Sequence, residues 1–275
     1  GKRRKLERDL RLLELERAEF PDHPFTLFNL GMTYRDARQF DKAVEFLKKS
    51  IERSGECESH LRKAYALLVS SYSLWGKADP ACSVSQEGLQ LFPEDAELRF
   101  QEGGLLSDLG RFAEAAESYL KVLTTQEEPH FASVERGIKG YLTRHNLAVV
   151  YMNMGRLQEA EEQLRLAIAE TPTFRPAIRA LGDVLIKRGK QAELEALAEL
   201  LMKDDQLCSE GMLLSGQLNA VRGDLEAFRH ALKDAVRLAP GDLDLLRTVC
   251  QILCSRDDAV TAREYLEDLT RRAPD

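Results

Sequence analysis

One feature restricts this chain more than any other: an order of side-chain sizes that returns along nearly its whole length. In "RHNLAVVYMNMGRLQEAEEQL" (residues 144–164) and just beyond it, Leu147 and Ala148 are followed by Tyr151, Gly155, Ala160, Leu164, Ala167 and Pro172. "LFNLGMTYRDARQFDKAVEFLKKS" places Leu27, Leu30, Gly31, Tyr34, Ala43 and Leu47 at the same offsets. Tyr65, Leu68, Tyr72, Gly76, Ala81 and Pro93 fall in line, as do Gly103, Leu106, Gly110, Ala115 and Tyr119. Farther on come Leu181, Gly182, Leu185 and Gly189, then Gly216, Gly223, Leu232, Ala235 and Pro240, and last Ala262, Leu266 and Pro274. Such self-similarity marks a repeat architecture, in which one unit cannot bury its apolar face alone and neighbours must stack.

Each recurring position has a physical task. Leu147 and Tyr151, like Leu30 and Tyr34, are four apart and share one helical face, so a first helix presents one apolar stripe to a second. A small residue at Gly31, Gly103, Ala148, Gly182 and Gly216 lets the two helices of a pair approach closely. Gly76, Gly110, Gly155, Gly189 and Gly223 sit where a first helix stops, a place where positive φ is needed and glycine takes it cheaply. The prolines end the second helix. Pairs still have an uncovered apolar side, and stacking gives an all-α, right-handed solenoid with a concave inner groove.

These offsets resemble the 34-residue tetratricopeptide repeat (TPR), with its order W-x₂-L-G-x₂-Y, A-x₃-F and a closing P. The resemblance covers nearly the whole chain, although no copy carries the signature Trp and the fifth has Leu194 where a small residue is usual. It implies a single TPR superhelix over residues 1–275, with repeats at 24–57, 62–95, 96–129, 141–174, 175–208, 209–242 and 243–275. Four extra residues before Pro93 are expected to lengthen the next helix through "CESHLRKAY", and about eleven extra residues form an insertion at 125–140. Residues 4–21 read as the second helix of a repeat whose first helix is absent, and no polar capping helix follows Pro274. A piece of a longer protein is therefore expected, with exposed apolar surface at one or both ends and end-to-end homo-association as a means of covering it. A narrower resemblance joins "RDLRLLELERAEFPDHPFTLFNLGMTY" and "HFASVERGIKGYLTRHNLAVVYMNMGRLQEAE" to the repeat region that follows the catalytic domain in bacterial family-2 glycosyltransferases. It implies an accessory region for substrate recognition, with the transferase chemistry upstream.

Composition narrows the chemistry. The 275 residues carry a net charge of −7, which argues against a general nucleic-acid binder, since phosphate contacts draw on surplus Lys and Arg. The longest stretch without a charged residue, 64–76, falls short of the roughly 20 apolar residues of a membrane span. Five cysteines form no C-x-x-C pair, so neither a disulfide framework nor a zinc ribbon is indicated; no signal peptide is recognisable at the N-terminus, and a reducing, cytoplasmic setting is expected. His130 and His145 lack metal-ligand spacing to any Cys, Asp or Glu, and "GGLLSDLG" lacks the Gly-Lys-Ser/Thr of a phosphate loop. No nucleophile-and-base constellation is present, so no enzyme activity, cofactor or metal is expected.

The TPR resemblance instead implies binding of a protein or peptide along the groove. Carried over residue by residue, its lining positions fall on Phe25, Phe28, Met32 and Arg35 in the first full repeat and Phe100 in the third. The fourth offers His145, Val149, Met152 and Asn153, the fifth Arg179, Asp183 and Lys187, and the last Arg247. Aromatic and Arg side chains are the usual anchors of interfaces. Members of the family that clamp a terminal carboxylate use Lys and Asn at positions held here by Phe28 and Met32, and no later repeat restores that pair.

Overall fold

The structure, a computed structural model, describes residues 2–55, 58–125, 137–255 and 259–272. These residues form fifteen α-helices and no strand, in two compact units, Gly1–Arg156 and Leu157–Asp275. The first unit holds α1 (Lys2–Glu19), α2 (Pro24–Asp36), α3 (Phe40–Arg53), α4 (Leu61–Leu74), α5 (Ala78–Leu91), α6 (Ala96–Asp108), α7 (Phe112–Thr124) and α8 (Tyr141–Asn153). The second holds α9 (Leu157–Glu170), α10 (Arg175–Lys187), α11 (Gln191–Met202), α12 (Cys208–Arg222), α13 (Leu225–Leu238), α14 (Leu243–Ser255) and α15 (Ala259–Arg272). Within each unit successive helices pack on one another through short connections, and alternate helices touch as well: α2 with α4, α4 with α6, α6 with α8, and α10 with α12. This is the helix-pair stacking that the recurring apolar stripes demand.

The turn glycines do what their place in the pattern requires. Gly76, Gly110, Gly155, Gly189 and Gly223 have φ between 71° and 83°, so each first helix ends in a left-handed residue that reverses the chain. The first full repeat makes the same turn without glycine, and Arg38 takes φ 59° there.

In the first unit α1 packs Leu10 and Leu13 against Leu27, Leu30, Tyr34, Ala43 and Phe46. Tyr34 and Phe46 stack with ring centroids 5.4 Å apart, and the Tyr34 hydroxyl donates to Glu14 Oε1 at 3.1 Å. The next layer is Phe28, Val44, Leu47, Ala64, Leu67 and Leu68. The second unit is built on Leu213, Phe228, Leu232, Leu245, Val249 and Leu253, a set in which Phe228 is the one aromatic among the fully buried members. Each such side chain contributes roughly 1.5–3 kcal/mol by leaving water. A methyl at Gly31 would come within 2.6 Å of Leu47, and one at Gly103 within 2.7 Å of Tyr119, so these glycines do set the spacing within their pairs. Gly182 differs: a methyl there would collide with Leu214 of α12, so its smallness makes room for the next repeat rather than for α11.

Two further differences from the sequence expectations are local. "CESHLRKAY" lengthens α4 by a single residue at most, to 14 against 13 in α2, α6, α8 and α10, because 58–60 form a turn and the helix begins at Leu61. That turn is held by His60, which is buried, places Nδ1 3.3 Å from Glu58 and pairs Nε2 with Ser54 Oγ at 3.0 Å. Of the insertion at 125–140, residues 126–136 lie outside those described. Residues 137–140 form a turn whose Ile138 is buried beside Ala96 and Val122. On α1, Leu12 and Leu15 are each more than half exposed.

Candidate functional site

The candidate site is the face of the second unit made by its first helices, α10, α12 and α14. The carboxylate of Glu210 on α12 is fully buried (0% exposed), which is tolerable only with good partners. It has three. Arg179 Nη2 of α10 donates to Oε1 at 2.7 Å, Arg175 Nε lies 3.6 Å from Oε2, and Ser209 Oγ donates to Oε2 at 2.7 Å. Asp242 caps α14, accepting from the backbone N–H of Leu245 at 2.8 Å, an arrangement worth about 1 kcal/mol to a helix start. Its other oxygen accepts from Arg175 Nη1 at 2.7 Å and from Arg179 Nη2 at 3.3 Å. Burial would raise the Asp242 pKa, but the Leu245 N–H and the two guanidinium groups outweigh burial and hold it below the usual carboxylate range. Two arginines and two carboxylates thus tie three successive first helices, and Arg175 also donates to the Gln206 carbonyl at 2.8 Å.

Beside this lock lies a cavity of about 370 Å³ lined by Arg179, Asp183, Ile186, Lys187, Gln217, Thr248, Gln251, Ile252 and Ser255. Asp183 is half-buried, and burial pushes its carboxyl above the usual range despite the Gln217 amide and the nearby Lys187. Gln217 Nε2 donates to Asp183 Oδ1 at 2.8 Å across one repeat period. Gln217 Oε1 and Arg179 Nε are buried and have no hydrogen-bond partner. An unmet buried polar atom ordinarily costs about 1–3 kcal/mol.

The residues expected from the sequence are distributed as follows. Arg179, Asp183 and Lys187 come together at this cavity, whereas Arg247 is exposed on α14, paired with Asp244 at 2.7 Å, and does not line it. In the first unit Phe25 remains 47% exposed and stacks on Phe28 at 5.9 Å, and both rings lie against His60. Phe28 itself is buried in the core, and Met32 packs against the same layer. Arg35 Nη2 donates to Ser70 Oγ at 3.1 Å. Phe100 is half-buried, edge to face with Tyr119 at 5.8 Å. On α8, His145, Val149 and Met152 are half-buried on one helical face and Asn153 is exposed. Burial pushes the His145 pKa down, and its Nδ1 lies 3.2 Å from Asn146 Oδ1. Glu210, Asp242 and Arg175 were not among the expected site residues. Asp242 carries a signal that could have found it, since "GDLDLL" places an Asp just before a helical apolar run.

Among the described residues no cluster of three or more His, Cys, Asp or Glu side chains is placed to hold a metal ion. No described helix is long and apolar enough to cross a membrane.

Comparison with known proteins agrees with this helix-pair architecture. Tetratricopeptide-repeat family models match residues 26–57, 96–129 and 142–170. The photosystem I assembly protein Ycf3 of Prochlorococcus marinus is 28% identical over 127 residues, covering 44% of this chain and 69% of that protein. Its counterpart from a Synechococcus species is 29% identical over 102 residues, 37% of this chain and 54% of that protein. Among solved structures, Pseudomonas aeruginosa PilF superposes with a TM-score of 0.61 at 18% identity, over 83% of this chain and 97% of that one. YrrB, described as a TPR protein with an unusual peptide-binding site, gives 0.51 at 17% identity over 75% of this chain and 98% of that one. None of these is a glycosyltransferase, and they do not support the narrower resemblance drawn from residues 5–176. Three segments of the chain are therefore tetratricopeptide repeats, and its fold is that of the tetratricopeptide-repeat helical solenoids.

Proposed function

We propose that the chain is a non-catalytic interaction scaffold that binds an extended peptide segment of a partner protein on the first-helix face of its second unit. The observation that carries this reading is the cavity of about 370 Å³ beside the Arg175–Arg179–Glu210–Asp242 lock. The lock holds three helices in place before any ligand arrives, so little ordering entropy opposes binding. Lys187 and Gln251 are exposed at the edge, Ile186 and Ile252 supply apolar wall, and such a mixture suits a side chain followed by its backbone. Ycf3 is by name an assembly protein, which accords with a scaffold.

The test is capture of peptides by the intact chain from a synthetic array, repeated with Lys187→Glu combined with Gln251→Glu. Both side chains are exposed, so the fold should be retained. Bound peptides should lose at least tenfold in affinity. Failure to capture any peptide, or capture that the double variant leaves unchanged, would overturn this reading.

A further inference from the structure

The outward face of α1 carries a seam of charged and apolar side chains that the first unit does not use. The inward face turns Leu10 and Leu13 into the core, accepts the Tyr34 hydroxyl on Glu14 and lays Arg17 over the Phe46 ring at 5.4 Å. The opposite face leaves Leu12 58% and Leu15 59% exposed, with exposed Arg8 and Glu19 one turn beyond them on either side. Residues 8, 12, 15 and 19 are spaced four, three and four apart, which lines them up along one side of a helix. Among the described residues Arg8 pairs only with its chain neighbour Asp9, at 2.9 Å, and Glu19 has no ion-pair partner.

The order along that seam (basic, apolar, apolar, acidic) is its own complement when reversed. If a second α1 is turned end for end about the point midway between residues 13 and 14, Leu12 meets Leu15 of the second copy and Arg8 meets Glu19. A two-fold axis repeats both contacts, so one register satisfies all four seam positions on each chain. A parallel pair would instead set Arg8 on Arg8 and Glu19 on Glu19 between the helices, where charges are closest and least hydrated. Flanking charges rank the two pairings the other way, since a parallel pair matches Arg11 with Glu16 and an antiparallel one brings like flanks together. Both residues are exposed, however, and Glu16 already accepts from Thr26 Oγ1 at 3.0 Å, so these flank contacts count for little.

We infer that α1 is a self-association surface on which a second copy of this chain docks antiparallel, with Leu12 and Leu15 at the centre and an Arg8–Glu19 ion pair at each end. The 18 residues of α1 span roughly 27 Å, and a single helix pair of that length buries less than a standard protein interface, so the dimer is weak and reversible. This gives a direction and a register to the end-to-end association expected from the sequence. It does not depend on the scaffold reading, which concerns the second unit.

The experiment is sedimentation equilibrium of the intact chain over a concentration series, with circular dichroism to verify that each variant is folded; every side chain altered is exposed. The chain is expected to pass from monomer to dimer between micromolar and millimolar concentration, and added salt should weaken the dimer. Arg8→Glu and Glu19→Arg should each weaken it at least tenfold, because each sets like charges together at both ends of the seam, and Leu15→Gln should weaken it as well. Arg8→Glu combined with Glu19→Arg restores opposite charges across the seam in the antiparallel register alone, and should restore association. A chain that stays monomeric up to millimolar concentration would overturn the inference. So would a dimer that all the variants leave unchanged, or a double variant no tighter than the single ones, which is the result for a parallel pair.

Discussion

The two units stack the same kind of helix pair and fill the space between repeats with different chemistry. Sixteen of the nineteen Phe, Tyr and Trp residues lie in 1–156 and three in 157–275. In the first unit rings accordingly join several elements: Phe25 and Phe28 with His60, Tyr34 on Phe46, Tyr65 with Phe92, and Phe100 with Tyr119. The second unit, whose apolar core holds a single fully buried ring, adds networks of buried ion pairs. Besides the Glu210 lock, buried Glu161 of α9 collects Arg165, Arg188 and Lys190. The repeat pattern fixes where helices go and leaves the filling open. Added rings enlarge a non-directional burial term, and buried charges beside an apolar core give a face whose geometry is set by direction.

The sharpest way to break this comparison is to remove one filling from each unit. Phe28→Ala takes a buried ring out of a layer shared by α2, α3 and α4, and should destabilise the first unit by about 4 kcal/mol. Glu210→Ala leaves Arg175 and Arg179 with only Asp242 to share. It should cost the second unit about 3 kcal/mol, toward the low end for a broken buried pair because Arg175 is partly exposed. Native-state hydrogen exchange assigned to each unit would measure both. A Glu210→Ala loss below about 1 kcal/mol would show that the lock orients α10, α12 and α14 without stabilising them.

Acid should separate the units next, by smaller amounts. Burial holds the His60 and His145 pKa values below the ordinary histidine range. Their unfolded states therefore bind protons first, and the first unit loses stability as pH falls from about 7 through the ordinary histidine pKa near 6.5. In the second unit burial opposes ionisation of Glu161 and Asp242, yet their Arg and Lys partners and, for Asp242, a backbone N–H leave both pKa values lowered. Their contribution is intact above the ordinary carboxylate range and lost as pH falls below about 4. Asp183, raised by burial, works the other way and blunts that loss. Exchange protection followed from pH 7.5 to 3.5 should fall first in the first unit. A simultaneous fall would remove the histidines as the cause.

The architecture was legible because it rests on residues that repeat: Leu147 with Tyr151, or a glycine after each first helix, can be recognised from their offsets. Some contacts across repeats are legible by the same logic, since Lys63 with Glu97 and Asp183 with Gln217 are 34 residues apart at matching positions of successive first helices. The lock was not. Arg175 and Asp242 are 67 residues apart, about two periods, and one stands within a helix while the other caps one. Sequence offsets within single repeats bring neither to notice. Arg179 shows the consequence: its position marks an outward-facing interface arginine, yet Glu210 and Asp242 take its Nη2 and the packing of three helices buries its Nε. Phe28 shows the converse, a groove position in the repeat pattern that is buried against side chains of α3 and α4.

The smallest predicted effect concerns the one element that should not distinguish the units. Every first helix with a turn glycine ends at φ between 71° and 83°, in both units, while the first full repeat puts Arg38 at φ 59°. A non-glycine residue pays about 1–2 kcal/mol for the left-handed region. Glycine returns part of that gain because its unfolded chain is freer, by about 0.5–1 kcal/mol. The Arg38 side chain is exposed and makes no hydrogen bond or ion pair among the described residues. Arg38→Gly should therefore stabilise the first unit by roughly 0.5–1 kcal/mol, and Gly189→Ala should destabilise the second by about 1 kcal/mol. Neither change should respond to salt or to pH between 5 and 8, because no charge in the ring-filled or ion-filled layers is touched. If Arg38→Gly were destabilising, the arginine would be holding its turn by a contact of its own, and the turn too would depend on which filling surrounds it.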